Sequence, residues 1–333
     1  MNTLAIMKST KMRIVHFNRY GSTDVLELGE VEKPMPKDDE VLIKVRATTV
    51  TAGDCELRAF KITPLFWLPV RLYIGVFRPR IPTLGQELAG EIEAVGKDVT
   101  SFKVGDAVFA GTGGKIGTYL EYKCQKVTHS IALKPTNMSF EEAATIPTGG
   151  LNAIYFMEMA NIKPGESILI NGAGGSIGSY AVQMAKSLGA VVTAVDTGRK
   201  LDMLLSIGAD KVIDYKQQDF TQMGITYDVI FDVAGKCKYT PTVNALKEKG
   251  RYIQSNPSLE VIFRGLWTKW TSSKRVLTGL AGESLEQLAK LKEMIEAGKL
   301  KAVIDKRFTL DDIVAAQQYV EAGHKSGNVI VVV

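Results

Sequence analysis

Four glycines crowd the stretch Ser167-Ile-Leu-Ile-Asn-Gly-Ala-Gly-Gly-Ser-Ile-Gly178, at positions 172, 174, 175 and 178. Together with Ala173, Ser176 and Ile177, such residues let a phosphate approach bare backbone N–H groups where a helix begins. Gly172 permits a tight turn, Gly175 gives the phosphate room, and Gly178 lets the helix pack closely. The spacing is G-x-x-G-x-x-G, because Ile177 stands where G-x-G-x-x-G has its third glycine. A turn of this composition can also serve α/β packing alone, so its context carries weight.

That context is a run of alternating elements. Ser167–Ile170 has the length and apolarity of a buried parallel strand. Ile177, Ala181, Val182, Ala185 and Leu188 follow at helical spacing, with Gly189 as a C-terminal stop. Val191–Val195 predicts a second strand ending at Asp196, where a ribose-binding acid falls in such folds. Arg199 and Lys200 come next, and cations there suit a 2′-phosphate. Val212–Asp214 and Asp228–Asp232 predict a third and a fourth strand.

Upstream, Arg13 to about His129 reads mostly as β, with dense Gly/Pro punctuation that includes Gly111, Gly113 and Gly114. A short helix fits near Asp54–Phe60, and a loose tail precedes the first strand. Phe60–Arg80 combines Phe60, Phe66, Trp67, Tyr73 and Phe77 with Pro64, Pro69 and Pro79. It suits a lid over a substrate pocket better than an oligomer contact. Asn137 or Ser139 caps a helical run over Ala143–Met159, broken at Pro147 and Gly149–Gly150. Asn256–Lys274 reads as irregular, with Trp267 and Trp270 among basic residues. Ser284–Ala297 predicts an amphipathic helix, and strand, helix, strand complete the chain over Ile304–Leu310, Asp311–Glu321 and Val329–Val333.

At 333 residues the chain can hold two domains, and its 23% charged and 45% hydrophobic residues are ordinary for a globular protein. A net charge of +5 without long Lys/Arg runs argues against nucleic acid and suits an anionic cofactor. Three scattered cysteines, Cys55, Cys124 and Cys237, indicate reduced thiols and a cytoplasmic setting. No run reaches membrane-spanning length, so no membrane partner is expected.

Several motifs in one order resemble the medium-chain dehydrogenase/reductase superfamily. Gly85-Gln-Glu-Leu-Ala-Gly90 with Gly96 is similar to its G-H-E-x-x-G-x(5)-G signature, and Val104-Gly-Asp-Ala-Val108 to its V-G-D-x-V turn. Gly117-Thr-Tyr-Leu-Glu-Tyr122 resembles its G-x-Y-x-E-Y strand. Glu141–Ala144 with Pro147 and Gly150, the glycine turn, Leu188-Gly-Ala190 and Gly208-Ala-Asp210 complete the order. The resemblance implies an α/β protein: a GroES-like, β-rich catalytic domain over residues 1–130 and 281–333, with an inserted Rossmann domain over 131–280.

The departures define the branch. The superfamily's zinc enzymes use Cys and His ligands, whereas here Gln86 replaces the His of G-H-E and Thr51 stands near the first ligand Cys. Three cysteines cannot build its four-Cys structural lobe. The sequence therefore resembles the zinc-independent quinone and enone oxidoreductases that include zeta-crystallin, and no metal site is expected. The implied reaction moves hydride from NAD(P)H to a quinone or an α,β-unsaturated carbonyl. NADP(H) is slightly favoured over NAD(H), because that branch often uses NADPH. Thr51, Arg58 and Gln86 are candidates to stabilise the developing oxyanion, with Asp54 orienting them. The resemblance places Thr148 at the nicotinamide, and Tyr215, Val233 and Ala234 along the cofactor cleft. A homodimer agrees with the branch.

Tyr119-Leu-Glu-Tyr-Lys123 matches a Y-x-x-x-K dyad but precedes the glycine turn on a strand, so it is set aside as coincidence. His16, His129 and His324 lack a nucleophile-elbow context. Other classes are a metal-free alcohol or aldehyde oxidoreductase, a non-catalytic dinucleotide-binding scaffold, and a membrane-surface protein docking through Trp267 and Trp270.

Overall fold

The computed structural model describes residues 11–113, 115–282 and 284–333; the expected tail before Lys11 and the turn glycine Gly114 lie outside them. Six parallel strands form one sheet in the spatial order Lys211–Asp214, Val191–Asp196, Ser167–Asn171, Tyr227–Asp232, Leu246–Gln254, Arg275–Thr278. Numbered along the chain this is 3-2-1-4-5-6, the doubly wound dinucleotide-binding order. The order reverses between Ser167–Asn171 and Tyr227–Asp232, so a crevice opens beyond their carboxyl ends.

A second sheet runs Ile304–Thr309, Asn328–Val332, Glu40–Val50, Glu87–Val95, Ala107–Gly111, Ile131–Leu133, with Tyr122–Lys126 also paired to Glu40–Val50. Its two C-terminal strands return from beyond the first sheet. The architecture is a GroES-like β-rich unit joined to a Rossmann-type sheet.

One helix locks the two sheets together. Ile146–Ala160 is apolar on nearly all sides, and its core cluster includes Ala47 and Phe109 from one sheet and Ile168 and Phe231 from the other. The expected break at Pro147 is absent. Proline needs no N–H donor in a first helical turn, which is where Pro147 lies. Gly149 and Gly150 instead allow close packing, since a Cβ on each would approach the Tyr180 ring at 3.0 Å and Leu291 at 3.1 Å. Upstream, Ser139 caps the short helix Phe140–Ala143, while the Asn137 amide donates to the Ile295 carbonyl at 2.9 Å.

The proline-rich aromatic segment and the segment expected to be irregular each contain a helix. Pro64–Ile74 starts on Pro64 and continues through Pro69, and Trp67 stacks edge-on against Phe60. Leu259–Thr271 is capped by the Ser258 hydroxyl, which accepts from the Val261 N–H. Its inner face is Val261, Gly265 and Thr268, while Leu259, Phe263, Leu266, Trp267 and Trp270 are exposed. Most of its large apolar residues are thus on the exposed side. The Thr63 hydroxyl meets Asn256 Oδ1 at 3.3 Å, joining the approaches to these two helices.

Candidate functional site

The glycine turn is assembled from both neighbouring strands. The N–H groups of Gly172 and Ala173 donate to the Val195 carbonyl at 3.0 and 3.2 Å. Gly172 has φ +80°, a conformation that favours glycine. A Cβ on Gly178 would lie 2.4 Å from the Gly172 carbonyl oxygen, so the helix Ser176–Ser187 touches its own turn there. At Gly175 a Cβ would meet only the Gly172 carbonyl oxygen, at 3.7 Å. Open space over a helix N-terminus is the shape a pyrophosphate requires, and the residues present fit a dinucleotide.

Asp196 faces this turn. Its carboxylate accepts from the Gly174 and Thr197 N–H groups, each at 2.8 Å, and pairs with the Lys200 ammonium at 2.9 Å, with both side chains buried. The sequence suggested an acid directed at the ribose and two cations available to a phosphate. In the structure Asp196 and Lys200 are engaged with each other. Arg199 is exposed and donates to the His324 carbonyl. Tyr215 stands exposed beside them, its N–H on the Asp196 carbonyl at 3.2 Å.

Across the switch point, the Asn171 side-chain amide donates to Asp232 Oδ1 at 2.8 Å. Asp232 is wholly buried and accepts the N–H groups of Gly235 and Cys237 at 2.9 and 3.0 Å. These bonds fix the loop holding Val233 and Ala234 against the glycine turn, where the Val233 N–H reaches the Asn171 carbonyl at 3.0 Å.

The second half of the site gathers around Asp54. Thr51 and Asp54 form a capping box on the helix Ala52–Ala59, with Thr51 N–H and hydroxyl donating to Asp54 Oδ2 at 2.8 and 2.7 Å. Asp54 Oδ1 accepts the Gly85 N–H at 3.0 Å. Gln86 Nε2 donates to Thr51 Oγ1 at 2.9 Å. Burial raises the Asp54 carboxyl above the usual range, while the bonds from Thr51 and Gly85 hold it down. The structure thus brings together Thr51, Asp54 and Gln86.

Arg58 does not join them. It is fully buried and points to the returning helix Ile313–Glu321, donating to Gln317 Oε1 at 2.8 Å, the Gly21 carbonyl at 3.2 Å and Glu321 at 2.7 Å. Each of its three guanidinium nitrogens is engaged in this packing, on the side of Gln317 and Glu321. The set-aside dyad is also apart from this chemistry: Tyr119 is buried, and the Lys123 ammonium donates to the Gly117 and Lys115 carbonyls at 2.9 and 3.3 Å.

Glu87 escaped notice in the sequence, although it follows Gln86 in the signature. It is completely buried; Thr49 donates to one oxygen, and the Thr148 N–H to the other at 2.6 Å. Burial pushes its carboxyl up to about 7 against the pull of those bonds. Glu87 thereby fixes Thr148 at the start of the linking helix. A Cβ on the next residue, Gly149, would lie 3.3 Å from the Ser176 carbonyl oxygen, so this corner adjoins the glycine turn. Beside Gln86 and the start of the linking helix lies a cleft of about 440 Å³, lined by Gln86, Thr112, Ile116, Thr148, Leu151 and Asn152 among others. Held by Thr51, the Gln86 side chain lines this cleft.

Comparison with known proteins agrees with this anatomy. Residues 37–161 match the alcohol dehydrogenase GroES-like domain, and residues 207–331 match a family described as zinc-binding dehydrogenase. The chain is 33% identical to the 2-methylene-furan-3-one reductase of Solanum lycopersicum, over 97% of this chain and 79% of that protein. It is 32% identical to an NADPH-dependent alkenal/one oxidoreductase of Arabidopsis thaliana, over 96% of this chain and 79% of that protein. The quinone oxidoreductase of Coxiella burnetii superposes with a TM-score of 0.86 at 27% identity, covering 97% of this chain and all of that one. The chain belongs to the medium-chain dehydrogenase/reductase superfamily, in its zeta-crystallin-like quinone oxidoreductase branch.

Proposed function

We propose that the protein is an NADPH-dependent reductase of quinones and α,β-unsaturated carbonyls that works without a metal. The observation carrying this reading is the open space over the helix N-terminus at Gly175, with the neighbouring corner at Gly149 and Thr148 bordering a cleft lined by Gln86. When bound, the cofactor supplies a hydride. As the hydride adds to the β-carbon of an enone, the displaced electron pair moves to the carbonyl oxygen. Gln86 Nε2, oriented by Thr51 and Asp54, donates to that oxyanion, and protonation of the resulting enolate completes the reduction. Relatives named as an alkenal/one oxidoreductase and a furanone reductase support this substrate class.

A hydroxyl and a neutral amide are poor zinc ligands, so Thr51 and Gln86 do not fit the metal. NADPH oxidation by quinones and enones is expected to proceed undiminished in EDTA, with elemental analysis showing no stoichiometric zinc. One zinc per chain, lost together with activity on chelation, would overturn the reading. A protein that quenches NADPH fluorescence but oxidises none of it would be a scaffold instead.

For the coenzyme, the neutralisation of Asp196 by Lys200 supports NADPH, since the carboxylate then repels a 2′-phosphate little. Arg199, exposed at the same end, is the cation to receive that phosphate. Arg199→Ala is expected to raise the KM for NADPH about tenfold and leave NADH nearly unchanged, the loss of one charge-assisted hydrogen bond. Asp196→Ser is expected to weaken both coenzymes, because it releases Gly174. Steady-state kinetics of both variants with both coenzymes at fixed salt decides between them, and a selective loss of NADH in Asp196→Ser would assign the ribose to Asp196.

A further inference from the structure

We propose that Lys325 is a phosphate clamp, an ammonium delivered by the returning C-terminal segment to the pyrophosphate bridge of the bound dinucleotide. The assignment rests on the dinucleotide reading of the glycine turn.

Lys325 lies in the turn between the helix Ile313–Glu321 and the strand Asn328–Val332, and this turn is docked on the glycine turn itself. The Gly327 N–H donates to the Gly174 carbonyl at 2.8 Å, and Gly175 and Gly327 form an isolated parallel bridge. The Ser176 hydroxyl meets Asn328 Oδ1. Gly327 has φ +82°, and a Cβ there would lie 2.4 Å from the Val303 carbonyl oxygen, so the backbone path is closely fixed. The docking sets Lys325 beside the opening at Gly175.

The Lys325 ammonium donates to the Gly327 carbonyl at 3.2 Å, and no ion pair among the described residues includes it. Glu87 and Asp54 of the catalytic half and Lys200 at the ribose end are near enough to act on its charge. Its bond to Gly327, whose N–H is docked on Gly174, sets the ammonium at the glycine turn, where the bridge must cross. Burial lowers its pKa against the opposing pull of the Glu87 and Asp54 carboxylates, neither of which pairs with it directly. A pyrophosphate laid on the helix N-terminus at Ser176 supplies an anion in direct reach of it.

The test compares Lys325→Met, Lys325→Gln and Lys325→Arg by titration with NADPH, 2′-phospho-ADP-ribose and 2′-AMP, of which the last lacks the bridge. The Met and Gln variants are expected to lose about tenfold in affinity for NADPH and 2′-phospho-ADP-ribose, to keep their 2′-AMP affinity, and to show a shallower salt dependence. Lys325→Arg should restore most of the loss, and thermal melting should stay near wild type. Unchanged NADPH affinity in both neutral variants overturns the clamp and leaves the dinucleotide reading standing. Equal losses for NADPH and 2′-AMP would move Lys325 to the adenosine end, which also overturns it. Wild-type protein that binds neither NADPH nor NADH removes the reading and the clamp together.

Discussion

Gly175→Val is expected to fold with near wild-type thermal stability and to bind NADPH at least about tenfold more weakly, a loss of about 1.4 kcal/mol or more. The residue has φ −93° and ψ −177°, an extended conformation that valine adopts without strain. With only one protein atom near the added Cβ, at 3.7 Å, the side chain projects into the space assigned to the pyrophosphate. Gly178→Ala should behave in the opposite way. Its Cβ would fall 2.4 Å from the Gly172 carbonyl oxygen and 2.6 Å from Ala173, both backbone, so the turn or the helix must move. Such overpacking costs about 1–3 kcal/mol. Melting curves and NADPH titrations on the two variants separate ligand space from packing space. A Gly175→Val protein that folds and binds NADPH as tightly as wild type would show that these glycines serve packing alone.

The same glycines show what a sequence makes legible. A strand, a glycine turn and a helix follow from period and composition, because each constraint is local. The sheet order and the GroES-like partner became legible through motifs spread from Gly85 to Asp210 in a fixed order. Side-chain direction was not legible in the same way. Arg58 and Asp54 lie one turn apart on the same helix, yet one faces Gln317 and Glu321 while the other organises Thr51 and Gly85. Asp196 sits where a ribose acid is expected, but an ammonium four residues on and two backbone N–H groups engage it. Lys325 carries no motif, and only the docking of Gly327 on Gly174 places it at the groove. Contacts across long sequence separations decide these assignments.

Glu87 should make stability fall as the pH rises through about 7. Its carboxyl titrates near 4.3 in the unfolded chain, so the folded state binds more protons between about 4.3 and 7. Below that interval both states carry the proton and this group leaves stability intact. Above it the folded chain holds a desolvated carboxylate, with the bonds from Thr49 and Thr148 only partly offsetting the burial and Asp54 adding a like charge. The difference is on the order of 3 kcal/mol at pH 8. Glu87→Gln removes the titration while keeping both contacts: the amide oxygen can accept the Thr148 N–H, and its NH₂ can donate to the Thr49 hydroxyl. Denaturant unfolding from pH 5 to pH 8 should therefore show a downward slope in the wild type and a flatter line for Glu87→Gln, with the variant the more stable at pH 8. An identical slope in both proteins would mean that another group carries the titration and that Glu87 holds Thr148 as an ordinary carboxylate.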